Sequence, residues 1–242
     1  MSEPLTTSGV PPIEMTGVAV GAMRDLDTLV AEDVNWSVAA GDFWVVAGLQ
    51  RSGKSDFLMM TAGLMPPLRG TYRLFGDPMS AEAEEDLHQR LRLGLVFDGG
   101  QLFNQLTVAE NIALPLRYHR ALPAEQIAEQ VNRLLELTEL MPWANSTPGM
   151  LGRNWQKRAG LARALALHPE VLLLDNPLGG ADTEHAGWWL NFLGQLSAGH
   201  EVMPGKRPTT LVVTADDVQP WRASARQFAR LHGGKFETGI YD

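Results

Sequence analysis

Residues Phe43–Ala62 read FWVVAGLQRSGKSDFLMMTA. The apolar run Phe43–Ala47 makes a short buried strand that ends at Gly48. Gly48-Leu49-Gln50-Arg51-Ser52-Gly53-Lys54-Ser55 then fits G-x-x-x-x-G-K-[ST]. A helix over Ser55–Ala62 follows, closed by Gly63 and Pro66–Pro67. Strand, glycine loop and helix in that order form a phosphate cradle. Gly48 and Gly53 let the chain curl until successive backbone N–H groups point at an anion. Lys54 offers a point charge to the β- and γ-phosphates, and the Ser55 hydroxyl suits Mg2+. Asp56 stands in the first helical turn, where a carboxylate favours the helix dipole but repels an α-phosphate. A helix-terminus charge is the better reading of it.

Further along, Val171-Leu172-Leu173-Leu174-Asp175 is a run of aliphatics ending in an acid. Such a run is a strand buried on both faces. Its Asp lies at the carboxyl end, where open α/β sheets bind ligands, and gives a second Mg2+ contact. Other apolar runs alternate with helical patterns. Strands are expected at Tyr72–Phe75, Leu93–Phe97 and Leu211–Val213, and a terminal hairpin at Phe228–Leu231 and Lys235–Thr238. Helices are expected from the capping box Thr107/Glu110, from Pro123, over Gln156–His168 and near Asp182–Leu196. Ile13–Val20 and Val34–Val38 read as antiparallel strands. The pattern predicts an α/β fold with a mostly parallel core sheet, an antiparallel N-terminal β portion and an inserted helical sub-domain at about 99–165. Residues 1–12 read as a disordered tail and 13–240 as one domain.

Composition narrows the function classes. Of 242 residues, 45% are hydrophobic and 20% charged, which is ordinary globular usage. Lys+Arg 20 against Asp+Glu 28 gives 20 − 28 = −8, a poor balance for a nucleic-acid binder. Cysteine is absent, so disulfides, thiolate metal sites and a thiol nucleophile are excluded. No apolar stretch approaches the ~20 residues of a membrane helix. The six histidines show no metal-ligand spacing. Trp188-Trp189, Met59-Met60 and Met65 read as core, and Glu82–Asp86 as a solvated helix face.

With both phosphate-site elements in place, the chain resembles the nucleotide-binding subunit of ATP-binding cassette (ABC) transporters from about Ile13 to Gly239. Leu151–Leu165 (LGRNWQKRAGLARAL) is similar to the family's signature segment and the helix after it. Asp175–Asp182 (DNPLGGAD) resembles the end of Walker B running into the D-loop, with Asp182 its acid. Thr214–Asp216 stands where the family has T-H-D. Gly99–Leu116 (GGQLFNQLTVAENIALPL) is similar to the segment after the Q-loop, in wording like that of Mla-type lipid-transport cassettes. The resemblance implies a P-loop NTPase (RecA-like) fold and the ligands ATP and Mg2+. It implies two partners: an integral-membrane permease and a second cassette, either a copy or a paralogue. It places the chain in the cytoplasm, peripheral on the inner face of the membrane. Leu102, Phe103, Leu106 and Val108 offer either a permease-docking groove or filling for the helical sub-domain.

The sequence departs from the family where the family does chemistry. Asn176 replaces the carboxylate after the Walker B Asp, and an amide cannot accept a proton from water. Ala215 replaces the switch His, and Asp98 stands at the Q-loop Gln. Leu151-Gly152-Arg153-Asn154-Trp155 replaces LSGGQ. No aromatic lies in Val18–Leu29 to stack on adenine. The expectation is ATP binding with weak or absent hydrolysis. The alternatives are a regulatory or scaffolding pseudo-cassette and a divergent but working ATPase in which Asp98 or Asp216 serves as base. A soluble P-loop protein acting on ribosomes or DNA is disfavoured by the short, acidic, single cassette.

Overall fold

A computed structural model describes residues 9–79 and 87–239. The tail over residues 1–8, the acidic run Glu82–Asp86 and the last three residues lie outside the described residues. In chain order the elements are β1 (Ile13–Ala22), β2 (Asp25–Val38), β3 (Phe43–Ala47), α1 (Lys54–Thr61), β4 (Arg69–Leu74), β5 (Asp77–Pro78), α2 (Leu87–Arg90) and β6 (Leu93–Val96). Then come α3 (Val108–His119), α4 (Ala124–Leu137), α5 (Arg153–Leu165), β7 (Val171–Asp175), α6 (Thr183–Ala198), β8 (Thr210–Ala215), β9 (Gln227–His232) and β10 (Lys235–Thr238).

The strands form one sheet in the order β5-β4-β1-β2-β10-β9-β3-β8-β7-β6. From β6 across β7, β8 and β3 to β9 the neighbours are parallel. β10 returns antiparallel on β9 as the expected hairpin. β1, β2, β4 and β5 pair antiparallel. The N-terminal strands run longer than the apolar residues suggest: β2 starts at Asp25, opposite Ala22, and pairs with β1 through Leu29, Ala31 and Val34 to Val38.

Side-chain alternation accounts for the aliphatic strands. In β7, Leu172 and Leu174 enter one apolar cluster, while Val171 and Leu173 enter the cluster on the opposite face. β8 does the same with Leu211 and Val213 on one side and Val212 on the other. A strand with core on both faces has no polar position to spare. The first cluster continues without a break into α3, α4 and α5 through Leu116, Leu134 and Leu161. The second lies under α1 and the antiparallel strands through Phe57, Met60, Trp36 and Tyr72.

Two helix starts show how local chemistry sets the boundaries. Thr107 caps α3 with a complete capping box: its hydroxyl accepts from Glu110 N at 3.2 Å and Glu110 Oε2 accepts from Thr107 N at 2.8 Å. α5 begins at Arg153, not at Gln156. Gly152 is extended (φ −62°, ψ 156°) and serves as N-cap without a side chain, so Arg153, Asn154 and Trp155 become the first turn. Nothing in that triplet advertises a helix start.

Candidate functional site: a phosphate loop with an acid beside it

Strand register assembles the site. Ala47 pairs with Ala215, and Asp175 pairs with Thr214. The carboxyl ends of β3, β8 and β7 therefore finish level, and Gly48 N donates to Ala215 O at 3.1 Å. The loop that leaves β3 curls over these ends. A Cβ on Gly48 would stand 2.6 Å from the Leu231 carbonyl oxygen, so only glycine fits. Gly53 caps α1 at φ 87°, ψ 14°, and a Cβ there would run into the Val30 side chain.

Three side chains meet on this floor. Ser55 Oγ donates to Asp175 Oδ2 at 2.7 Å. Thr214 Oγ1 donates to the other oxygen, Asp175 Oδ1, at 2.8 Å and accepts Asn176 N–H at 3.0 Å. Asp175 is thus fixed at both oxygens before any ligand arrives. Lys54 is 7% exposed; its Nζ donates to Gly48 O (2.6 Å) and Leu49 O (2.8 Å) and pairs with Asp216 Oδ1 (2.9 Å). A cleft of about 650 Å³ opens above, lined by Lys54, Asp98, Asp175, Asn176 and Asp216 at one end and by Leu29 and Val30 toward the other.

The residues fit a magnesium nucleotide. Ser55 and Asp175 are hard oxygen donors already in contact, and Mg2+ commonly takes one or two protein oxygens with phosphate and water completing the shell. Ser52 Oγ is buried and, among the described residues, has no hydrogen-bond partner, which leaves a donor for phosphate oxygen. The base end offers aliphatic contact from Ala22, Leu29 and Val30.

The positions expected to depart from the family fall as follows. Asn176 lines the cleft at φ 46°, its side chain against Gly179. Ala215 is 5% exposed inside the β8 ladder and presents no polar side chain. Asp98 lines the cleft but is ion-paired, to Arg153 (2.7 Å) and Lys157 (2.9 Å). It is no free base. Asp56 does more than close a helix dipole: its Oδ1 accepts Met23 N–H at 2.9 Å and ties α1 to the β1–β2 turn.

The Leu151–Trp155 segment lies off this cleft. Leu151 is buried in the core, and Trp155 packs edge-on against His185 at 5.1 Å and over the Arg158 guanidinium at 4.6 Å. Arg158 sits between Trp155 and Trp188, the latter 4.0 Å away. Asp182 caps α6, accepting His185 N at 2.9 Å and facing the His185 ring. The backbone N–H first, and then the ring, hold its carboxyl below the ordinary range.

The apolar run after Asp98 divides. Val108 is buried and Leu102 packs on the core, so these two fill the protein's own interior. Phe103 is 53% exposed and lines a groove of about 430 Å³ with Pro115, Tyr118 and Leu95. Asn111 holds that loop, accepting Phe103 N at 2.8 Å and donating to the carbonyls of Phe103, Leu106 and Thr107.

Sequence reasoning missed Lys157 and the pairing of Lys54 with Asp216. The first had a signal. Lys157 stands four and eight residues before Leu161 and Leu165, on the buried stripe of α5.

Residues 31–179 match the ABC transporter family model. The chain belongs to the ABC transporter family. As a cassette of that family it is the ATP-binding component of a membrane transporter. It is 31% identical over 95% of its length to methionine import ATP-binding protein MetN 2 of Salmonella choleraesuis, covering 67% of that protein. It is 35% identical over 69% of its length to MetN 2 of Bacillus cereus, covering 49% of it. Thus the chain spans two thirds of one relative and half of the other. The cassette MJ0796, solved as a dimer in a post-hydrolysis state with ADP and Pi, superposes with TM-score 0.81 at 26% identity, over 94% of this chain and all of that one. CbiO1 from Clostridium perfringens shares the fold, with TM-score 0.78 at 18% identity over 95% of this chain and 88% of that one. Both relatives are named for methionine import, and their names lend no support to the expected likeness to lipid cassettes.

Proposed function

We propose that this cassette binds Mg-ATP between the Gly48–Ser55 loop and Asp175, docks on a membrane permease, and turns ATP over slowly or not at all. The observation that carries the binding half is the Ser55–Asp175 contact at 2.7 Å beside the buried Lys54. In this reading Lys54 and the loop N–H groups hold the β- and γ-phosphates, and Ser55 and Asp175 hold the metal. Mg2+ would neutralise charge on the phosphate oxygens. Thr214 keeps Asp175 aimed at the metal from behind. Asn176 can orient a water molecule but cannot take its proton. Ala215 offers the γ-phosphate no donor.

The groove at Phe103 supports docking, because an exposed aromatic beside Tyr118 suits the apolar face of a short helix. The permease would hold the cassette on the cytoplasmic face of the membrane; no helix among the described residues is long and apolar enough to cross it. A second cassette, a copy or a paralogue, would complete the transporter. For cargo, the relatives' names make methionine uptake the first substrate to assay, ahead of lipid.

A non-hydrolysing regulatory cassette is the second reading. The ion pairs that occupy Asp98 favour it, since they keep Asp98 from replacing Asn176 as a base. Calorimetric titration with Mg-ATP tests the binding half. Lys54→Ala should weaken binding by at least about 1.5–3 kcal/mol, the range of a hydrogen bond to a charged group. No heat from the unmutated protein at millimolar Mg-ATP would overturn the proposal.

A further inference from the structure

Lys157 is a buried cation near the nucleotide cleft, with 1% of its side chain exposed. It arises from the core face of α5, yet its ammonium reaches Asn176 and Asp98, two residues that line the cleft. Nζ donates to Asn176 O at 2.9 Å and to Gly179 O at 2.7 Å. It also lies 2.9 Å from Asp98 Oδ1, off the hydrogen-bonding axis, as an ion pair. One charge therefore ties three segments together: the loop after β6, the turn after β7, and α5. The turn is itself closed by Gly179 N donating to Asn176 O at 3.0 Å. Gly179 has no room for a Cβ against the Asn176 amide, so fixing Gly179 also fixes that side chain.

Four acids line the same cleft: Asp56 accepts Met23 N–H, Asp216 pairs with Lys54, and Asp175 and Asp98 flank the Asn176 turn. The last two differ in what holds them. Asp175 is held by the hydroxyls of Ser55 and Thr214. Asp98 is held by cations. Arg153 is 64% exposed, so solvent screens its share, and Lys157 supplies the unscreened part. A freed Asp98 would add a second negative charge to a site meant for phosphates.

We propose that Lys157 is a positioning residue: it neutralises Asp98, keeps it away from the metal and the phosphates, and pins the Asn176–Gly179 turn. Asp175 then faces the metal side without a second free charge from Asp98. This rests on the nucleotide-binding reading above and adds to it a residue inside α5 that sets how strongly binding depends on Mg2+.

The test compares ATP binding in excess Mg2+ with binding in EDTA, alongside melting temperature, for the full chain and its variants. Lys157→Met removes the charge, and Lys157→Gln removes it while keeping a donor for the two carbonyls; the second carries the comparison if the first does not fold. Freed of Lys157, Asp98 should repel uncompensated phosphates. The expected result is a loss of metal-free ATP affinity of about tenfold or more, with Mg-ATP affinity changed less than about threefold, one tenfold step being 1.4 kcal/mol. Adding Asp98→Asn to either variant should restore the unmutated ratio of the two affinities. A fall in melting temperature with equal loss of both affinities, unrescued by Asp98→Asn, would overturn the proposal and leave Lys157 a structural brace. If the unmutated chain binds ATP in neither condition, the nucleotide reading itself fails and takes this one with it.

Discussion

Lys54 Nζ lies 2.9 Å from Asp216 Oδ1, a pairing across 162 positions that sets the phosphate-loop cation against an internal carboxylate. The ladder between β3 and β8 makes it possible, because Ala47 and Ala215 are register partners and the chain leaves both strands on the same side. Lys54 already donates to two loop carbonyls. An arriving phosphate therefore competes with Asp216 for the remaining proton and meets its negative charge.

Asp216→Asn should accordingly tighten nucleotide binding. The Asp216 side chain is 40% exposed, so the pair is partly screened. A gain of about 0.5–1 kcal/mol, or roughly two- to fivefold in Kd, is expected. Isothermal titration checks it; weaker binding by the variant would show that Asp216 assists the nucleotide.

Phe103→Asp should abolish co-purification with a co-expressed permease and leave the melting temperature almost unchanged. Phe103 is half exposed, and surface substitutions usually stay within about 0.5 kcal/mol. A fall of many degrees would place Phe103 with Leu102 and Val108 in the protein's own core.

The α6 cap should give a pH-dependent contribution to stability. The Asp182 carboxyl is held below its ordinary value by His185 N–H and then by the His185 ring. A depressed folded value means the charged form is favoured in the folded chain. That contribution is complete above the unfolded carboxylate range and disappears as pH falls through the folded value. Asp182→Ala should lower the melting temperature at pH 7, and the gap to the unmutated chain should narrow toward pH 3. An equal gap at both values would deny the carboxylate its role.

The legible parts of the molecule are local. Strand, loop and helix at Phe43–Ala62 follow from adjacent residues, and the capping box at Thr107 from a spacing of three. Val171–Asp175 is readable because a strand between two cores has a composition of its own. The start of α5 was hidden because Gly152 caps with backbone alone. Other features depend on register between distant strands, which single-sequence patterns do not carry. Thr214 bracing Asp175 is one, and Lys54 facing Asp216 is another. Asp98 read as a substitution that exposes an acid to the site; Lys157, unremarkable in an Ala/Leu/Arg helix, changes its meaning. The two segments had to be brought together before that charge balance was visible.

In the proposed reading the chain retains nucleotide binding and loses turnover. Losing a general base commonly costs about 10²–10⁴ in rate, and losing donors to the developing charge about 10²–10³, though such losses need not multiply. In the proposed reading, Asn176 and Ala215 remove one of each kind. Asn176→Glu alone should not restore turnover, since Ala215 stays buried in its ladder and the Leu151–Trp155 segment is unchanged. The most direct measurement is phosphate release from Mg-ATP by the purified, unmutated protein, run beside Lys54→Ala at a nucleotide concentration that saturates binding. The expected result is a rate near background that Lys54→Ala does not lower further. Turnover at transporter-like rates, removed by Lys54→Ala, would contradict it.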